Sequence, residues 1–420
     1  MGTTEDGRRI PDRLRRRGRR LRATVRRSGR YVAPPGTPRP VRRPRVRLGR
    51  HPEARNQQVG KESTMSTDAT TQSRTPVHPT DAQEGRPSGR EIRLVARPTG
   101  EPGPENFELV RSTVPALQHN QILVRNTWMS VDPYMRGRMD DRKSYIAPFR
   151  LGATLDGGAI GEVVSSQVDT IPVGATVSHF LGWREYAVLD GANATVVDTT
   201  IAPAEAYLGV LGTPGLTAYV ALTDTAPVRP GDVVFVSAAA GAVGSVAGQL
   251  ARKLGAGTVI GSAGGPEKAR RLVDDFGFDV AIDYRAGSVA RQLAAAVPGG
   301  IDVYLDNVGG DQLAAAIGAL HVGGRVALVG AISSYNATAP VPGPANLALT
   351  VTKRLSLRGM IVTDHLQRLP EYVALAAGWL ADGTLRTEST VLEGIEQAPA
   401  AFLGMLRGAN TGKMLVRLGD

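Results

Sequence analysis

The sequence predicts an α/β protein in which a doubly wound parallel sheet is joined to a smaller β-rich domain behind a basic tail. Three observations carry this. From about residue 213 apolar strands alternate with helical segments, the text of successive βαβ units. Between about 90 and 190, short β-rich runs are separated by turn residues. Before about residue 86 there is no hydrophobic periodicity. At 420 residues the chain exceeds one ordinary core, and two domains plus a tail account for its length.

The tail comes first. Residues 1–60 hold nineteen arginines and no lysine against Glu5, Asp6, Asp12 and Glu53, a net +15. The whole chain is +11, so the rest is slightly acidic at −4 and the basic character belongs to the tail. Residues 1–85, rich in Arg, Pro, Gly, Ser and Thr, bury too little apolar surface to offset ordering entropy and are expected to be disordered. The run RLRRRGRRLRATVRRSGR can hold nucleic-acid phosphates by counterion release, act as an acid-poor targeting segment, or be an incidental extension ahead of a start at Met65. Any nucleic-acid contact would be confined to it. The chain has no cysteine, which excludes disulfides, cysteine-ligated zinc and a thiolate nucleophile. No apolar run approaches the roughly 18 residues of a membrane span, and no signal-peptide core is present. A soluble, cytoplasmic protein without a membrane partner is expected.

Next come EIRLVARP, ILVRNTWMSVDP, GAIGEVVSS, ATVSHF and WREYAVLD, read as strands of a mostly antiparallel barrel or sandwich. After GTPGLTAYVAL the order is VVFVSA, a helix, TVIGSA, the helix PEKARRLVDDF, then DVAIDY, IDVYLDNVGG, GRVALVGA and LSLRGMIV. That is the order of a doubly wound, Rossmann-type sheet.

Within it, VVFVSA is apolar or small throughout, as a strand buried on both faces requires. The next helix carries Val243, Val246, Ala247, Leu250 and Leu254 on one face, and Gly255 can end it. Between them Ala239 to Gly244 reads A-x-G-x-x-G. Gly241 lets the backbone approach a pyrophosphate, Gly244 lets helix and strand pack closely, and the helix N-terminus favours the anion. Alanine in place of the usual first glycine is tolerable where φ is negative.

The end of the second strand discriminates between cofactors. An NAD site places an acid there for the ribose 2′-OH, but VIGSAGGPEK has none at the strand end. Lys268 follows on the next helix and can serve as a point-charge ligand for a 2′-phosphate. NADPH is therefore the expected cofactor. Lys268, Arg270 and Arg271 read equally as solvated helix charges, with Glu267 as a local counter-ion.

Six segments together resemble the zinc-independent medium-chain dehydrogenase/reductases that reduce alkenals and enones, including prostaglandin and curcumin reductases. They are SVDPYMRGRM, LGVLGTPGLTAYVAL, SAAAGAVGSVAGQLA, LDNVGG, LVGAISSYNAT and AAFLGMLRGANTGKMLV, spread over residues 90–420. The resemblance implies a GroES-like catalytic domain at 86–212 and 382–420, interrupted by an NADP-binding domain at 213–381, and a homodimer. It places Gly241, Ala242, Val243 and Gly244 at the pyrophosphate, Lys268 at the 2′-phosphate and Tyr284 on the adenosine side. Asn307, then Val329, Gly330, Ala331, Ile332, Ser333, Ser334 and Tyr335, with Met360, Ile361, Val362 and Asn410, would complete the nucleotide and nicotinamide contacts. DNVGG and GANTG are also ordinary turn texts, and Tyr284 an ordinary strand end.

The expected chemistry is NADPH-dependent reduction of the carbon-carbon double bond of α,β-unsaturated ketones and aldehydes. Hydride adds to the β-carbon while charge collects on the carbonyl oxygen. The chain lacks the usual cysteine ligand, and His51, His78, His119, His179, His321 and His365 show no paired metal-ligand spacing. No metal is expected, and hydrogen-bond donors are left to hold the enolate. Tyr335 follows the apolar strand RVALVG, so it sits at the carboxyl end of the sheet, where ligands bind. Its phenol is the candidate donor, shared with the cofactor's ribose hydroxyl, and the α-carbon proton comes from water. Tyr335 can also be a capping residue at a domain seam. Tyr134 and Tyr145 are the candidate aromatic walls of a flat conjugated ligand, or else half-buried core residues. Arg136 and Arg138 are assigned to structure or surface charge. No G-x-S-x-G elbow supports a hydrolase, and Asp274-Asp275 reads as a solvated helix face. The alternatives are an NADPH quinone reductase on the same scaffold and a dinucleotide-binding protein whose tail engages nucleic acid.

Overall fold

The computed structural model describes residues 87–419. The expected disorder of 1–85 and the proposed start at Met65 lie outside the described residues.

The first strands are β1 (Ser88–Leu94) and β2 (Phe107–Thr113), an antiparallel pair. Next, β3 (Gln121–Ser130) leads into the five-residue helix α1 (Tyr134–Arg138). Then β4 (Ala159–Ser166), β5 (Thr176–His179), β6 (Tyr186–Asp190) and β7 (Thr195–Val196) build an antiparallel array in which β3 bonds both β4 and β6. Its core gathers Met129, Met135, Phe149, Leu155 and the fully buried Trp183.

After the buried helix α2 (Thr213–Val220) the period changes. Strand β8 (Val233–Val236) is followed by α3 (Ala242–Lys253), β9 (Thr258–Ala263), α4 (Pro266–Asp274), β10 (Val280–Asp283) and α5 (Val289–Ala296). The second half holds β11 (Ile301–Asp306), α6 (Gly310–Ala319), β12 (Leu320–Leu328), the short α7 (Leu349–Thr352), β13 (Ser356–Gly359) and α8 (Leu369–Ala381). The six strands form one sheet in the order β10-β9-β8-β11-β12-β13, every pair parallel. Apolar side chains cover both faces, with Val234 and Val236 in one core and Phe235 with Tyr304 in the other.

The chain then returns. β14 (Ser389–Glu393), α9 (Ala398–Leu406) and β15 (Lys413–Arg417) follow, and β15 pairs antiparallel with β3. β14 and β15 are parallel to each other, so the β-rich sheet is mixed rather than purely antiparallel.

The turn after β8 shows how the alanine variant of the glycine motif is accommodated. Ala238 takes the left-handed conformation at φ +47, and Ala239, at the motif's first position, is not among the positive-φ residues. Gly244 is required by contact: a Cβ there would lie 2.3 Å from the Ala238 carbonyl oxygen. Helix α3 buries Val246, Ala247 and Leu250 as its periodicity demands, and Gly255 closes it at φ +95.

Candidate active site

Strand order reverses between β8 and β11, which opens a crevice at their carboxyl ends. A cavity of about 1410 Å³ occupies it, lined by the loops of the parallel sheet and by residues of the β-rich part. Gly241, Ala242, Val243 and Gly244 form one wall, at the N-terminus of α3. That terminus has no side-chain cap and no acid in its first turn, so its backbone N–H groups remain available for an anion. Opposite, the backbone N–H of Asn307 donates to Ser237 Oγ at 2.9 Å and its Nδ2 to the Ser237 carbonyl at 2.7 Å. Below both, buried Asp306 accepts from the N–H groups of Val308 and Gly309 at 2.9 Å and from Tyr304 Oη at 2.8 Å. The sequence reading did not assign Ser237 or Asp306 a part in the site. An aspartate at the end of the apolar strand IDVYLD was the available signal, since a buried carboxylate needs such donors.

Lys268, Tyr284 and Asn410 also line the cavity. Lys268 Nζ donates to the carbonyls of Gly408 at 2.7 Å and Asn410 at 2.5 Å, and Asn410 Nδ2 donates to the Gly412 carbonyl at 2.7 Å. Burial, and then the charge of Arg285, push the Lys268 ammonium below its ordinary pKa. Both effects favour an anion beside it. Arg270 and Arg271 turn elsewhere: Arg270 pairs with Asp274, and Arg271 with Asp275 and Glu388. Arg270 thus makes an i,i+4 pair along its helix, and Arg271 bridges to a carboxylate 117 residues away. The uncapped helix terminus, the close backbone at Gly241 and the lysine together fit a dinucleotide bearing an additional phosphate.

Tyr335 lies on the loop after β12 and lines the cavity with Val329, Gly330, Ile332, Ser333 and Met360 to Val362. Its Oη accepts from the Ala331 N–H at 3.2 Å, which leaves its own proton for a ligand. Ala331 and Ser334 are absent from this lining. Ala331 borders a smaller neighbouring cavity, and Ser334 Oγ closes the turn on the Ala331 carbonyl at 2.8 Å. From the β-rich part come Tyr134, Tyr145 and Phe180. Tyr134 stacks on Phe180 with ring centroids 6.4 Å apart, and its buried hydroxyl has no protein partner. Burial holds that phenol well above its ordinary pKa, so it stays a neutral donor. Tyr145 is 57% exposed at the cavity mouth; burial of part of its ring and then the neighbouring Tyr335 raise its pKa. Phe180, Asp132 and Lys413 also line the cavity and had no assignment from sequence. Lys413 is 5% exposed and donates to Asp132 at 2.8 Å and to the Val131 carbonyl at 2.9 Å.

His179 is buried and its pKa is lowered to about 4, first by desolvation and then by Arg184. Its Nδ1 accepts from the Leu181 N–H at 3.1 Å and its Nε2 meets Asn126 Oδ1 at 2.9 Å, so both ring nitrogens are engaged within the fold. Among the described residues no cluster of three or more His, Cys, Asp or Glu is placed to hold a metal ion, and no helix is long and apolar enough to cross a membrane.

Residues 90–197 match the family described as the N-terminal domain of oxidoreductase, and residues 242–378 match zinc-binding dehydrogenase. The NADPH-dependent curcumin reductase of Escherichia coli (strain K12) is 38% identical over 77% of this chain and 95% of its own. The chain belongs to the medium-chain dehydrogenase/reductase family. A second relative in this family, prostaglandin reductase 1 of Mus musculus, is 39% identical over 76% of this chain and 95% of its own. The crystal structure of CurA in complex with NADPH from Vibrio vulnificus superposes with a TM-score of 0.75 at 40% identity, covering 79% of this chain and 99% of that one. As a medium-chain dehydrogenase/reductase the chain is an oxidoreductase.

Proposed function

We propose that the protein reduces the carbon-carbon double bond of α,β-unsaturated ketones and aldehydes with NADPH. The observation that carries this reading is a phenol with a free proton, Tyr335, facing a cavity whose other end fits a phosphorylated dinucleotide. The relatives' names, a curcumin reductase and a prostaglandin reductase, support the substrate class.

When bound in the crevice, NADPH would supply a hydride for the β-carbon. Gly241 to Gly244 would hold its pyrophosphate through backbone N–H groups, Lys268 its 2′-phosphate, and Tyr284 would border the adenosine. Asn307, Val329, Gly330, Ile332, Ser333, Tyr335, Met360 to Val362 and Asn410 would complete that wall, with Ala331 and Ser334 shaping the loop behind it. Tyr335 donates to the carbonyl oxygen, whose negative charge grows as hydride arrives, and so lowers the barrier where charge develops. Tyr134 and Phe180 cover one face of the conjugated system, and Tyr145 covers its solvent side. The α-carbon then takes a proton from solvent at the open mouth. The return of β15 to β3 supports reading 86–212 and 382–420 as one catalytic domain around a nucleotide domain at 213–381. Family membership supports a homodimer, and a cytoplasmic location remains part of the same proposal.

Product analysis tests the function. With NADPH, a panel of enones and alkenals should give saturated carbonyls, and Tyr335→Phe should lower kcat by about a hundredfold, the typical effect of removing one oxyanion donor. Hydroquinones formed from quinones, with no turnover of enones, would move the assignment to a quinone reductase. No turnover together with tight RNA binding would leave only a dinucleotide-binding protein. Full turnover by Tyr335→Phe would remove that residue from the chemistry.

A further inference from the structure

Arg136 is one of the most deeply buried charges among the described residues, with 3% of its side chain exposed, yet it sits two residues from Tyr134 on the five-residue helix α1. All three of its nitrogens are bonded. Nη1 donates to Asp140 at 2.7 Å, which neutralises the charge one turn along. Nη2 donates to the Gly100 carbonyl at 2.7 Å, and Nε is shared between that carbonyl at 3.2 Å and Asn336 Oδ1 at 3.1 Å. Asn336 is 200 residues away in sequence and follows Tyr335 directly. The Gly100 turn is wedged between the two segments: a Cβ there would lie 3.2 Å from Thr338 Cγ2 and 3.7 Å from the Asn336 carbonyl oxygen.

The loop that carries Tyr335 has little regular structure, a single 3-10 turn at Ile332–Ser334. Its other side-chain bonds run to its own side of the cavity, from Ser333 Oγ to the Val308 carbonyl at 2.6 Å and from Ser334 Oγ to the Ala331 carbonyl. These bonds tie the loop to itself and to the segment just after β11, and the Asn336 bond to Arg136 ties it to α1. The planar guanidinium suits that task, because its N–H groups point in fixed directions and its charge strengthens each bond.

We propose that Arg136 and Asn336 form a latch between α1 and the loop after β12 that positions Tyr335 relative to Tyr134, making Arg136 and Asn336 positioning residues for the reduction. One rigid helix then sets both phenols: it presents Tyr134 to the substrate directly and holds Tyr335 through the next residue in the chain. The distance between the donor and the aromatic wall, on which a reactive pose depends, is set by this contact. The proposal rests on the reading of Tyr335 as the enolate donor.

The test uses the full chain with benzalacetone and NADPH, comparing Asn336→Ala, Asn336→Asp and Tyr335→Phe. Asn336→Ala should lower kcat about tenfold, in line with the cost of a small misplacement of a reacting group. Amide hydrogen exchange over 331–338 should quicken in the same variant. Asn336→Asp keeps an acceptor for the guanidinium and should restore both kcat and protection, which a loss of local packing alone would not explain. In the Tyr335→Phe background, Asn336→Ala should cost nothing further. Unchanged exchange in Asn336→Ala overturns the latch. Faster exchange with unchanged kcat, or a tenfold loss that persists in the Tyr335→Phe background, overturns its positioning role. Failure of the donor reading is a separate result, because it shows in Tyr335→Phe alone.

Discussion

Lys268 shows how much one side chain can decide. Its ammonium has lost part of its water and stands near Arg285, so burial and a like charge both hold its pKa down. An anion placed there relieves both penalties, and a 2′-phosphate is such an anion. Lys268→Ala should therefore weaken NADPH binding by roughly ten- to a hundredfold, the range expected for a charge-assisted hydrogen bond. NADH binding should change little, as measured by fluorescence titration of both cofactors. Equal losses for the two would assign Lys268 to holding the Gly408–Asn410 turn instead. The choice among Lys268, Arg270 and Arg271 was open in the sequence, because three cations on one short helix look alike. Their carboxylate partners separate them, and two of those, Asp275 and Glu388, both meet Arg271.

At the scale of elements, β11 carries side-chain contacts of different character at its two ends. At the carboxyl end Asp306 organises the turn before α6. At the amino end Asp302 and His321 pair at 2.8 Å, and the other ring nitrogen of His321 meets the Gly299 carbonyl. With both nitrogens facing acceptors, the protonated ring satisfies both. The bond to Asp302, followed by that to Gly299, raises the His321 pKa above its ordinary 6.5. The Asp302 pKa is lowered, the bonds from His321 and the Val233 N–H outweighing its desolvation. The signs follow by linkage: the histidine's contribution is complete below about pH 6.5 and lost as pH rises through its raised value, and the aspartate's is lost as pH falls through its depressed one. His321→Gln should cost about 1 kcal/mol or less, because the pair is partly exposed. Urea midpoints should show that cost near pH 6 and little of it near pH 9. A penalty equal at both would mean that protonation has no part in the contact.

For the whole molecule, the described residues that line the cavity run from Val131 to Met414. Removal of residues 1–64 should leave kcat and KM for NADPH and enone unchanged in a steady-state assay. Lost activity would place the tail in the catalytic cycle. The same truncation removes a net +15 and leaves a remainder of −4, and should abolish any salt-sensitive binding to nucleic acid.

What the sequence alone determined is whatever depends on local order. The βαβ alternation, the small-residue turn from Ala238 to Gly244 and the acid-free end of β9 are read from neighbouring residues, because backbone periodicity and steric fit are properties of short segments. The sequence also placed Tyr335 at the carboxyl end of β12, since strand direction follows from the text. Tertiary structure alone decided which distant groups meet. Tyr134 reaches the cavity with an unpartnered hydroxyl, Lys413 closes on Asp132, and Arg136, assigned from sequence only to structure or surface charge, bonds the residue beside Tyr335. Such contacts join segments up to hundreds of residues apart, and their directions come from the packing of two sheets rather than from any pattern along the chain.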